Sequence, residues 1–211
     1  MKVPIYILEG SWDKTHEVPQ VLPYFLAYAQ SHREVEIFHR TFRTAEDINF
    51  YINKIKKGSK TLVYFACHGE PEYLTPSDGR SKLGFASIKD ALSIAKEKDS
   101  IGFLHFGCCS FVRSPNRRTP LSALSKATGA AWVSGYINDV DWLSSTLLDL
   151  ALISEVYYDW RCSTSKKRNT KNISSFIGRY EQLAKSLGLS ALSDIATESQ
   201  LIPARLIGEQ Q

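Results

Sequence analysis

Apolar positions along this chain fall into short runs separated by polar stretches, and their period changes from run to run. Ile5 to Leu8 is a first run of strand type, halted by Glu9-Gly10-Ser11. Between residues 18 and 31, Val21, Leu22, Phe25, Leu26 and Ala29 recur at helical spacing. Pro23 moves the expected helix start toward itself, because proline suits a first turn and not a helix interior. Val35 to His39 alternates partially, as a second strand would. Thr44 followed three residues later by Asp47 predicts a capping box. The helix it opens carries Ile48, Tyr51, Ile52 and Ile55 on one stripe and ends at Gly58.

Two later runs do not alternate. Thr61-Leu62-Val63-Tyr64-Phe65-Ala66-Cys67-His68-Gly69 and Ile101-Gly102-Phe103-Leu104-His105-Phe106-Gly107-Cys108-Cys109-Ser110 are dense in apolar and aromatic residues. Continuous runs of this length predict parallel strands covered on both faces. A polar loop over residues 70–82 and a helix capped by Ser87, running through Ile88, Leu92 and Ala95, separate them. Beyond them come a basic loop with Arg113, Arg117 and Arg118, a helix from Leu121 to Ala127, and a fifth strand from Ala131 to Tyr136. Asp141 to Tyr157 predicts a long helix with Leu143, Leu147, Leu148, Leu150, Ala151 and Ile153 on its apolar face. Trp160 to Lys171 breaks the pattern, and its Lys166-Lys167-Arg168 run reads as a solvated loop. Residues 174–187 and 190–197 predict one or two amphipathic helices.

Strands alternating with helices predict an α/β fold: a doubly wound, mostly parallel sheet with helices on both faces, plus C-terminal helices. No repeat or linker divides the chain. A single domain over residues 1–211 is expected, with its core in about 1–157 and a helical extension over about 172–205.

Composition narrows the possibilities without naming a chemistry. Hydrophobic residues make up 43%, charged residues 23%, and the net charge is +4. This is the balance of an ordinary globular domain, with scattered basic residues that give no reason to expect a nucleic-acid partner. No apolar run approaches the roughly 20 residues of a membrane helix, and the start of the chain lacks the pattern of a signal peptide. A cytoplasmic protein with no membrane association is expected, its four cysteines held as thiols.

Reactive side chains gather at the ends of the two apolar runs. If these are parallel neighbours, a His and a Cys meet at the carboxyl edge of one sheet, where open α/β folds place their sites. Nucleotide-binding Gly motifs and the Gly-x-Ser-x-Gly elbow are absent from the sequence. A zinc site from Cys67, His68, Cys108 and Cys109 is disfavoured because adjacent cysteines rarely ligate one tetrahedral ion, so neither metal nor cofactor is expected. A Cys–His pair is the remaining chemistry: an imidazole takes the proton of a thiol and returns one to a leaving amine. The Gly69 N–H beside His68 is positioned in sequence to support an oxyanion. The competing reading makes Cys67 and Cys162 ordinary core or surface thiols, and His105 a core histidine.

The order strand, His-Gly, helix, strand, Cys resembles the caspase-like fold, particularly its bacterial CHAT branch. The matching residues are Tyr64 to Gly69 and His105 to Ser110, followed by the Thr128-Gly129-Ala130 turn, the strand to Tyr136, and Val140-Asp141-Trp142. The resemblance covers roughly residues 1–157. It implies a cysteine endopeptidase acting on a protein or peptide substrate, with a bacterial defence or cell-death role and a possible regulatory partner chain. His68 would be the general base, Cys109 the nucleophile with Cys108 as the alternative, and Gly69 the oxyanion donor. Loops bearing Glu9 and Asp13, and Asp139 and Asp141, would build a pocket whose acids favour a basic substrate residue. Asp141 also reads as the cap of the long helix. The alternative function is a catalytically silent module of the same fold that binds a partner or ligand.

Overall fold

The computed structural model describes residues 2–12, 21–114, 118–162 and 166–193. Asp13 and the C-terminal stretch from residue 194 onward lie outside them. The chain runs β1 (Val3–Glu9), α1 (Leu22–Ser31), β2 (Val35–Thr41), α2 (Ala45–Lys54) and β3 (Thr61–Ala66). A small hairpin sheet follows, β4 (Gly69–Glu70), β5 (Tyr73–Leu74) and β6 (Leu83–Gly84). Next come α3 (Phe85–Leu92), α4 (Ile94–Lys98), β7 (Ile101–Phe106), α5 (Arg118–Thr128), β8 (Trp132–Tyr136) and α6 (Trp142–Leu152). A π-helical segment (Ile153–Tyr158), α7 (Asp159–Cys162), α8 (Lys166–Leu187) and β9 (Leu189–Ser193) complete it.

The main sheet has the order β2-β1-β3-β7-β8-β9, parallel except for β9. Period-two alternation divides its side chains between two cores. Leu62, Tyr64 and Ala66 of β3 join Phe25 of α1, Leu148 and Leu152 of α6, and Ile173 and Phe176 of α8. Val63, Phe65 and Cys67 join Ile48 and Ile52 of α2, Ile88 and Leu92 of α3, and Leu121 and Leu124 of α5. Both faces of β3 and β7 are therefore buried throughout, which is why neither strand alternates in sequence. The architecture is α/β with a mostly parallel sheet flanked by helices, compatible with double winding.

Local signals hold at several element ends. Pro23 sits in the first turn of α1, and Thr44 with Asp47 forms the expected capping box. Other expectations need correction. The third helix starts at Phe85 after an extended Gly84, so Ser87 lies inside its first turn and is not the cap. The loop over residues 70–82 contains the hairpin strands β4 and β5, which join β6 in a second sheet. On the long helix Leu143 and Leu147 face solvent, while Leu148, Leu152, Ile153, Val156 and Tyr157 enter the core. The helix predicted over 190–197 is replaced over its described part by β9, antiparallel to β8 from Trp132↔Ser193 to Tyr136↔Leu189. Gly188, at φ +70, stops α8 and turns the chain onto that edge. Pairing satisfies main-chain groups that β8 would otherwise leave open, and this outweighs the weak helical preference of Ser190-Ala191-Leu192.

Candidate functional site

β3 and β7 are parallel neighbours, with Tyr64 opposite His105 and Phe65 opposite Phe106. Their carboxyl ends consequently bring Cys67-His68-Gly69 beside Gly107-Cys108-Cys109. The approach is close. A Cβ built on Gly69 would lie 2.2 Å from the Cys109 carbonyl oxygen and 2.9 Å from the Cys108 Cβ. Only a residue without a side chain fits there.

The His68 main chain is anchored twice, its N–H donating to Ser11 O at 2.7 Å and its carbonyl accepting from Thr75 N at 2.9 Å. Its imidazole is exposed to solvent. On the other side, Gly107 N donates to Phe65 O at 2.9 Å, tying the turn to β3. Ser110 adopts the left-handed conformation, φ 50, and its N–H donates to Asn138 O at 3.0 Å. The Ser110 hydroxyl donates to Asp139 at 2.6 Å, joining the turn after β7 to the one after β8.

Alternation separates the two neighbouring sulfurs. Cys108 continues the inward phase of Leu104 and Phe106 and is wholly buried. Its Sγ lies 3.4 Å from Cys67 Sγ and 3.4 Å from Phe65 O, and burial pushes the thiol well above its ordinary range. Of the two candidate nucleophiles, Cys108 therefore exposes no surface. Cys109 is half-buried. The Val140 N–H donates to its sulfur at 3.4 Å, and the thiol faces the Val140 carbonyl at 3.7 Å. Burial raises its pKa, and the Val140 contact opposes that rise. Among the described residues, no hydrogen bond links the His68 ring to either sulfur.

Of the four acids named for substrate recognition, the three that are described are already engaged. Glu9 is buried, accepting from Trp12 Nε1 at 3.1 Å and Val21 N at 3.3 Å, with His39 Nε2 at 2.6 Å. Asp141 caps α6, accepting from Ser144 N at 2.8 Å and Ser144 Oγ at 2.7 Å, and these bonds lower its pKa. Asp139 is exposed and accepts the Ser110 hydroxyl. Asp139 and Asp141 therefore flank Val140, which holds the Cys109 sulfur.

Beneath the edge lies a buried polar cluster that sequence reading missed. Asp149, on α6, is fully buried and accepts from Tyr64 Oη at 2.7 Å and Tyr136 Oη at 2.6 Å. His105 Nε2 lies 2.7 Å from the same carboxylate, and its Nδ1 lies 2.6 Å from Ser134 Oγ. Trp132 Nε1 donates to Ser134 Oγ at 2.8 Å. Burial first, and the Asp149 charge next, push both tyrosine hydroxyls well up. The Ser-His-Asp arrangement has no access to solvent, so it is a structural tie across β3, β7, β8 and α6. A signal existed: Asp149 interrupts the apolar sequence Leu147-Leu148-Asp149-Leu150.

Set against known proteins, the chain matches no family model and no curated relative. Among the described residues, no helix is long and apolar enough to cross a membrane.

Proposed function

We propose that the chain is a caspase-like cysteine endopeptidase in which Cys109 attacks the scissile carbonyl and His68 moves the proton. The observation that carries this reading is the convergence at one sheet edge. Gly69 abuts the Cys109 carbonyl, and Cys109 is the half-buried thiol of the two in that turn. The solvent-exposed imidazole belongs to the residue next to Gly69 and is free to turn toward the sulfur as a substrate arrives, since resting dyads are often loose. As the tetrahedral intermediate forms, the Gly69 N–H takes the oxyanion, and His68 then protonates the leaving amine. Because Glu9 is buried among its partners and Asp141 caps a helix, the basic-substrate preference rests on the exposed Asp139, whose carboxylate accepts the Ser110 hydroxyl.

A peptidyl electrophile and a peptide-library cleavage assay test the assignment together. Wild-type protein is expected to label at Cys109 and to cleave, and His68→Ala to lose about 10²–10⁴-fold in rate, the usual contribution of a general base. Cleavage at the wild-type rate by Cys109→Ala would sink the proposal.

The second reading, a silent module of the same fold that binds a partner, is favoured by one observation. The Cys109 sulfur is engaged by Val140 and not by an imidazole, and its thiol is held up by burial. Labelling that is equally fast with and without His68 decides for it.

A further inference from the structure

Two thiols at this edge have no part in the proposed chemistry. Cys67 and Cys108 end adjacent strands, each two residues beyond the paired Phe65 and Phe106. Both are fully buried, with their sulfurs 3.4 Å apart. A disulfide needs roughly 2 Å between sulfurs, so the two must draw closer than their present separation. The backbone around them is tight: a Cβ on Gly10 would lie 2.8 Å from the Cys67 Cβ, and one on Gly69 would lie 2.9 Å from the Cys108 Cβ. Closing the bond therefore moves the neighbouring main chain, and the residues that follow directly are His68 and Cys109.

We propose that Cys67 and Cys108 form an oxidation site for a small hydroperoxide, joined by an intramolecular disulfide that alters the setting of Cys109. Access runs through Cys109, the partly exposed thiol of the three. The peroxide transfers one oxygen to Cys109, giving a sulfenic acid and leaving an alcohol. Cys108 attacks that sulfur, an S–S bond forms, and water departs. Cys67, having given up its proton, then attacks the Cys108 sulfur, and Cys109 leaves as a thiolate that takes up a proton. In sum two S–H bonds break, one S–S bond forms, and the peroxide O–O bond is reduced. Burial holds the Cys108 thiol up, so its attack on the sulfenic acid accelerates as pH rises. None of these steps requires the peptidase reading.

The full chain is treated with a hydroperoxide in its folded state, and remaining thiols are alkylated after denaturation. The expected product loses two hydrogen atoms and yields a crosslink between tryptic peptides 61–80 and 99–113, with alkylated Cys109. Cys67→Ala abolishes the crosslink, Cys109→Ser slows it, and in crosslinked wild-type protein alkylation of Cys109 slows severalfold until a reducing thiol restores it. The disulfide site is overturned by a stable Cys108–Cys109 or Cys67–Cys109 bond, or by no crosslink at doses that consume Cys109. Equal rates in Cys109→Ser overturn the relay, and unchanged Cys109 alkylation overturns the coupling to the edge.

Discussion

Replacing Asp149 with Ala removes the acceptor shared by Tyr64, Tyr136 and His105 while leaving every residue of the candidate dyad in place. Two tyrosine hydroxyls and one ring nitrogen then lie buried without that partner. Each such loss costs about 1–3 kcal/mol. Three such groups, with the surroundings partly relaxed, put the expected destabilisation at about 3–5 kcal/mol. For a chain of this length each kcal/mol moves the thermal midpoint by about 2–4 °C, so a fall of roughly 6–20 °C is expected by circular dichroism or scanning calorimetry. Asp149→Asn keeps the volume and one acceptor oxygen and should fall between the two. Tyr64→Phe supplies the second leg of a double-mutant cycle. Combined with Asp149→Ala it should cost at least ~1 kcal/mol less than the sum of the single changes, because both remove the same bond. The consequence extends to the edge: a Cβ on Gly107 would stand 2.2 Å from the Tyr64 hydroxyl and 2.9 Å from Asp149 Oδ2, so the cluster packs directly under the turn that leads into Cys108-Cys109. A midpoint for Asp149→Ala within about 2 °C of wild type, or strict additivity with Tyr64→Phe, would refute the account of this cluster as a tie.

Other perturbations separate local effects from those of the edge. Gly69→Ala drives a methyl group into the Cys109 carbonyl, a main-chain atom that cannot rotate aside. An overpacking cost of about 1–3 kcal/mol is expected, with slower Cys109 alkylation in the folded protein; a wild-type melt would contradict the close approach. Cys108→Ala should retain Cys109 labelling by an electrophile, because its own sulfur is buried; loss of labelling in a folded variant would return Cys108 to the nucleophile's role. Asp141→Ala should lower the thermal midpoint at neutral pH through the lost cap. Hydrogen bonds depress the Asp141 pKa in the folded state, so its contribution is present above the ordinary carboxylate range and fades as pH falls through the folded value. Melts of wild type and variant should therefore converge in acid, and a gap that stays constant would remove Asp141 as the source.

Much of the fold was legible because its cause is local. The capping box at Thr44, the Pro23 first turn, and the unalternating runs ending at His68 and Cys109 each follow from residues close in sequence. The candidate pair was legible only as a conditional, since it depended on β3 and β7 being neighbours. Alternation could also have told the two adjacent cysteines apart. Cys67 and Cys108 lie in phase with Phe65 and Phe106, so they turn into the same core as α2, α3 and α5. Less was visible at residues 190–193, where a short amphipathic segment suits a helix or an edge strand and the unpaired edge of β8 decides.

By itself, then, the chain's periodicity determined the identity of most strands and helices, their alternation, and the presence of a reactive residue at two strand ends. Backbone geometry converts such patterns into elements over a few residues, without reference to distant parts of the chain. Tertiary structure alone decided what holds the Cys109 sulfur, what Cys108 faces, and what lies beneath them. The Val140 contact with Cys109, the Cys67–Cys108 approach, and the Asp149 cluster join residues 31, 41 and as many as 85 positions apart. Their meeting depends on strand order and on which sheet face each helix covers, and a one-residue period carries no record of either.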